Sequence, residues 1–80
     1  MHKIRLLNRI ADLKTDDPLF NFGVEKSYEV VADYLKNYSE FRDVIEYVEF
    51  FTEKAPAHAK EVMNAMYNLQ DLLSTFPQEK

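Results

Sequence analysis

The side chains that could carry out chemistry are few in this chain of 80 residues. Two histidines are present and cysteine is absent, which excludes a thiolate metal site and a disulfide framework. His58 and Glu61 stand three residues apart, the spacing that brings two metal ligands together on one helix. A carboxylate-bridged site needs further inward-facing acids, and the apolar stripes of this sequence contain none. The sequence therefore predicts no metal site and no cofactor.

Nucleophilic and phosphate-binding sites are also poorly supported. Ser27, Ser39 and Ser74 have no histidine within one helical turn along the sequence, so no nucleophile–base pair is indicated. A single glycine does not allow a glycine-rich phosphate loop. We therefore expect a protein that is not an enzyme, and a small helical enzyme or metal-binding protein is the weakest alternative.

Charge is divided unevenly along the chain. The net charge is −4, yet residues 1–14 have a balance of +3, so residues 15–80 carry −7. Because binding to phosphates requires a cationic face, we expect no nucleic-acid partner. A helix-turn-helix is excluded for the same reason, since its recognition helix would be residues 40–54, with five acids against two cations.

Acidic side chains recur at helical spacing on two predicted helices. Like charges one turn apart are mildly destabilising, so a row of them suggests docking on a basic partner. A solvated face that keeps the protein soluble is the alternative, and it stays open. The acids predicted to contact a partner are Asp43, Glu46, Glu49 and Glu53 on the third helix, and Glu29 and Asp33 on the second.

Two aromatic residues accompany the acids of the third helix. On a helical wheel, Phe50 lies about 120° from the core residue Val44, and Tyr47 lies at the edge of the core on the same side. Aromatic side chains with a charged rim are typical of protein interfaces, so we predict that both contact the partner. The alternative is that Phe50 is buried under the first helix or under residues 18–22.

Apolar periodicity predicts an all-α protein with one domain over residues 1–80. We expect a small antiparallel bundle of four helices. Asp17 is predicted to cap a helical turn that begins at Pro18, and Ser39 is predicted to cap the third helix. Glycine is unfavourable by about 1 kcal/mol inside a helix, so a bend is expected near Gly23. The predicted elements are helices at 3–14, 24–37, 40–54 and 55–76, with a short extra turn around residues 18–22.

The long C-terminal helix has the most regular apolar stripe, with spacings that alternate between four and three residues. The stripe consists of Ala55, Ala59, Val62, Met66, Leu69, Leu73 and Phe76. On a helical wheel, Gln70 lies within this stripe. It either sets the register against another helix or lies at a helix crossing that is open to water. This stripe also suggests an alternative function, an obligate homodimeric assembly protein that completes its core through residues 55–76.

The remaining features favour a cytoplasmic protein without a membrane partner. No run approaches the roughly 18 apolar residues of a membrane span, and no charged-then-apolar leader begins the chain. The preferred function is a small non-enzymatic protein–protein interaction module. As a regulator or inhibitor, it would bind a basic partner through its acidic and aromatic helical surface.

Overall fold

Four α-helices account for most of the chain. The computed structural model describes residues 2–55 and 57–75, and no strand occurs among them. The helices span Lys3–Ala11 (α1), Pro18–Asn37 (α2), Arg42–Lys54 (α3) and Ala59–Ser74 (α4). The predicted all-α fold class is confirmed.

The longest helix, α2, begins at the predicted cap. The Asp17 carboxylate accepts a hydrogen bond of 3.0 Å from the Leu19 N–H, and Pro18 occupies a first-turn position where its missing N–H is no loss. The helix then continues without interruption to Asn37, so the prediction of a separate turn at 18–22 with a bend at Gly23 is wrong. Packing explains the difference. Gly23 is buried, and a Cβ placed on it would lie 3.3 Å from Met66 Sδ.

Other helix ends also differ from the predicted ones. α1 ends at Ala11 instead of residue 14. Beyond it, the Asn21 side chain exchanges two hydrogen bonds of 2.7 Å with the backbone of Thr15, which holds the connection outside the helix. Ser39 does not cap α3, because the N-cap residue is Phe41 and no side chain caps this end.

The last helix begins later than predicted, at Ala59 rather than residue 55. Its predicted start rested on Pro56 and its predicted end on Phe76 and Pro77. These three residues lie outside the described part of the chain.

The four helices pack in a closed ring. α4 packs against α2 and α3, and α1 packs against the same two helices. α2 and α3 follow one another in the chain, yet they share little contact and lie diagonally across the ring. All four helices contribute to one core, and the buried apolar side chains are Leu6, Ile10, Leu13, Phe20, Val24, Val31, Leu35, Val44, Val48, Phe51, Val62, Met66, Leu69 and Leu73.

The stripe of α4 is covered within the single chain over its described central part. Val62, Met66 and Leu69 are fully buried, and Leu73 is 5% exposed. A second copy is therefore not needed to cover these side chains, and the homodimer stays an untested prediction. Of the two positions that the sequence left open for Gln70, contact with another helix is observed: its side-chain amide donates a hydrogen bond of 3.1 Å to Ser27 Oγ on α2.

The connection between α2 and α3 is tied to the start of α1. The Lys3 ammonium donates a hydrogen bond of 2.8 Å to the Leu35 carbonyl and lies 5.8 Å from the centre of the Phe41 ring. Tyr34 stacks on Tyr38 with ring centres 4.6 Å apart. These contacts order the short segment that leads into α3, which carries most of the predicted partner-binding residues.

Candidate protein-binding groove

A shallow groove between α3 and α4 brings together three of the predicted partner-binding residues. Glu46, Tyr47 and Phe50 of α3 line it together with Ala65 of α4, and its volume is about 310 Å³. Ala65 leaves room there because its side chain is a single methyl group. The groove is open to solvent, so it is suited to side chains that a partner inserts from outside.

The two aromatic residues are supported by the core and remain accessible. Tyr47 and Phe50 are each half-buried and pack against the core. The Tyr47 ring lies 6.2 Å from the fully buried Phe51 ring, centre to centre, in a tilted arrangement that favours aromatic pairs. Full burial of Phe50, the alternative drawn from the sequence, is not observed.

The four acids of α3 are exposed, and none forms an ion pair with another described residue. Glu46 borders the groove itself, and Glu53 lies on the same side of α3, seven residues further along. The four acids outnumber the two cations of this helix, Arg42 and Lys54. An excess of exposed acids gives this side of α3 a negative electrostatic potential.

Asp43 lies at the other end of α3, beside the α2–α3 connection. It shares a surface depression with Tyr34, Glu40 and Arg42. Burial raises the pKa of the Tyr34 hydroxyl, and the nearby Tyr38, Asp43 and Glu40 raise it further. The Tyr34 hydroxyl donates a hydrogen bond of 3.0 Å to the Glu40 carbonyl. Asp43 is thus placed beside this tyrosine and does not line the groove.

The two predicted acids of α2 belong to a different part of the surface. Glu29 and Asp33 are exposed and border a groove of about 600 Å³ between α2 and the end of α4. Because α2 and α3 lie diagonally across the ring, these acids do not share a groove with Glu46. The structure thus separates the two sets of acids that the sequence assigned to one partner-binding surface.

Two features of the molecular surface were not predicted from the sequence. Ala65 was assigned no role, since a small residue reveals a groove only once the packing of α3 on α4 is known. Leu19, Phe22 and Tyr67 are 61%, 52% and 42% exposed. The three-residue spacing of the first two places them on one side of α2.

The residues considered for metal binding and catalysis are not gathered into a site. His58 Nδ1 lies 3.9 Å from a Glu61 carboxylate oxygen, and both side chains are exposed. Among the described residues, no group of three or more potential metal ligands occurs. Ser27 is buried and its hydroxyl accepts the hydrogen bond from Gln70.

Comparisons of the chain with protein-family models, with curated proteins and with solved structures find no significant match. Within residues 2–55 and 57–75, no helix has the length and apolar character needed to cross a membrane. The groove and its charges are therefore the basis of the functional proposal.

Proposed function

We propose that this protein is a small non-enzymatic interaction module, a regulator or inhibitor, that binds a basic protein partner at the groove between α3 and α4. One observation carries the proposal. Two aromatic side chains packed against the core, Tyr47 and Phe50, are half-buried and line a groove beside the acid Glu46, which has no ion-pair partner among the described residues.

The proposed mechanism divides the work between aromatic and acidic side chains. Phe50 and Tyr47 provide large apolar surfaces that lose little conformational freedom when a partner covers them. Glu46, Glu49 and Glu53 attract a basic surface from a distance and orient it before contact. Binding would occlude the basic surface of the partner, and it would weaken with added salt because the attraction is screened.

We also propose that helices that follow one another in the chain run in opposite directions. α3 and α4, which form the groove, are one such pair. Two contacts support opposite directions for α1 and α2: Lys3 meets Leu35, and Lys14 forms an ion pair of 3.0 Å with Glu25. Early residues of α1 thus meet late residues of α2. We place the protein in the cytoplasm, consistent with its lack of cysteine.

A charge-reversal experiment with a matched control tests the proposal. Tagged protein is used to capture partners from native lysate after nuclease treatment, at low and at moderate salt. The Glu46→Lys/Glu49→Lys variant should lose a stoichiometric partner. The Glu29→Lys/Asp33→Lys variant changes the net charge equally on the other acidic surface and should retain it.

Two results would overturn this assignment. Equal capture by wild type and the Glu46→Lys/Glu49→Lys variant would show that the acids of α3 do not contact the partner. Loss of the partner in both variants would show that binding depends on the net charge of the protein and not on the groove. A lane without a partner, together with a dimeric sedimentation profile, would instead support the homodimer.

A further inference from the structure

We infer that the occupant of the groove between α3 and α4 is a basic amphipathic helix of the partner. This inference rests on the proposed function and adds the kind of structure that the partner presents. It follows from the spacing of the residues on both sides of the groove.

On the α3 side, acidic and aromatic residues alternate at helical spacing. Glu46, Phe50 and Glu53 are separated by four and then three residues, so they form one row along the helix. The two acids lie about 10.5 Å apart along the helix axis, at 1.5 Å per residue. An apolar contact is thus flanked by one negative charge a turn away on each side.

The α4 side repeats this spacing with a small residue at its centre. Glu61, Ala65 and Asn68 are also separated by four and then three residues, and both flanking residues are exposed. Neither set of three contains a cation; the cations of α3 lie one turn beyond, Arg42 four residues before Glu46 and Lys54 four residues after Phe50, so negative charge is in excess along this face. The axes of packed helices lie 8–10 Å apart, depending on the side chains at the contact, and the small side chain of Ala65 favours a close approach.

The spacing of the acids selects a helix over an extended peptide. A helix lying along the groove presents cations at positions i and i+7 about 10.5 Å apart, with an apolar residue at i+3 or i+4 between them. In an extended chain, side chains on one side recur at about 6.7 and 13.4 Å, which does not match Glu46 and Glu53. The expected partner segment therefore has the pattern basic–apolar–basic at helical spacing.

Fluorescence anisotropy with synthetic peptides and the full chain tests this inference. The probe is an alanine-based peptide of about four helical turns, with leucine flanked by lysine at i−4 and i+3 and the pattern repeated once. One control has a central proline, which disrupts the helix, and a second has glutamate in place of lysine. The helical lysine peptide should bind at least tenfold more tightly than either control.

Two phenylalanine variants separate groove binding from general attraction to an acidic protein. Phe50→Ala should weaken binding of the lysine peptide about tenfold. Phe22→Ala removes a similarly sized ring that is 52% exposed on α2 and should leave the affinity unchanged. Circular dichroism of each variant checks that the helical content is retained.

The result that overturns the inference can be distinguished from failure of the proposed function. Equal affinity for the helical and proline peptides, no binding of either, or equal effects of the two phenylalanine variants would each exclude a helix in this groove. If the lysate partner is nevertheless lost on charge reversal of Glu46 and Glu49, the proposed function stands with a differently shaped partner. If the partner is retained by that variant, the proposed function fails as well.

Discussion

The side-chain amide of Gln70 on α4 donates a hydrogen bond of 3.1 Å to the buried hydroxyl of Ser27 on α2. The same amide nitrogen lies 3.5 Å from the Gly23 carbonyl oxygen. This polar contact lies between two largely apolar helix faces. A slip of one turn between the helices, about 5.4 Å, would leave a buried polar group without this partner. The pair therefore sets the register of α2 on α4.

Substitutions of Gln70 and Ser27 should each destabilise the protein, and their effects on the free energy of unfolding should be coupled. Gln70→Met keeps the side-chain length but deprives Ser27 of its partner, and we expect the free energy of unfolding to fall by about 1–2 kcal/mol. Ser27→Ala should cost about 0.5–1 kcal/mol. In urea denaturation, the free energy lost in the double variant should be smaller than the sum of the two single losses by about 1 kcal/mol. Additive effects would contradict direct coupling.

Gly23 provides a test of how closely α2 and α4 approach. Alanine favours the helix by about 1 kcal/mol, while its Cβ would lie 3.3 Å from the flexible Met66 thioether. We expect Gly23→Ala to raise the free energy of unfolding by about 0.5 kcal/mol, because Met66 can adjust its position. Gly23→Val should lower it by about 1–3 kcal/mol through overpacking. Thermal unfolding measures both, and a loss above about 1 kcal/mol for alanine would show that Met66 cannot move.

Two phenylalanines in the first turns of α2 test which side of this segment faces the core. Phe20 is 1% exposed and Phe22 is 52% exposed. Phe20→Ala should lower the free energy of unfolding by about 3–5 kcal/mol because it leaves a cavity. Phe22→Ala should change it by less than about 1 kcal/mol. Similar losses in urea denaturation would contradict the placement of these side chains.

The raised pKa of Tyr34 predicts a loss of stability in alkali. The ordinary pKa is 10.0, and burial with three neighbouring groups raises it in the folded state. As the pH rises, the unfolded chain loses this proton first, so the folded state binds more protons and stability falls above that pH. The urea midpoint of the wild type should therefore fall more steeply than that of Tyr34→Phe between about pH 9 and about pH 11.

Near neutral pH, the Tyr34→Phe variant should be less stable than the wild type by about 0.5–1.5 kcal/mol, because phenylalanine cannot donate the hydrogen bond to the Glu40 carbonyl. Equal slopes of the two proteins against pH would show that Tyr34 does not contribute to the alkaline loss.

Features of the fold that depend on nearby residues could be predicted from the sequence. The cap at Asp17 and the proline that follows it act within one turn, and the structure confirms both. The apolar stripe of α4 was also predictable, because burial of Val62, Met66 and Leu69 follows from helical periodicity. These features require no knowledge of which helix lies opposite.

Apart from the helix ends, the errors concern contacts between residues that are distant in the chain. Gly23 was predicted to bend the chain, yet its role depends on Met66, which lies 43 residues further along. The helical angle of Phe50 placed it away from the core, whereas the structure has it half-buried against the core, and Ala65 could not be assigned to the groove without the packing of α4. Periodicity also gives no order of helices around the ring, so it could not separate Glu29 from Glu46.

The position of α4 has a consequence for how an occupied groove would be detected. One side of α4 borders the groove at Ala65, and its other side is tied to α2 through Gln70, five residues away, or about 7.5 Å along the axis. A ligand that restrains α4 also restrains the opening of its contact with α2. Slower hydrogen exchange at backbone amides around Ser27 would then report occupancy from a helix that the ligand does not touch.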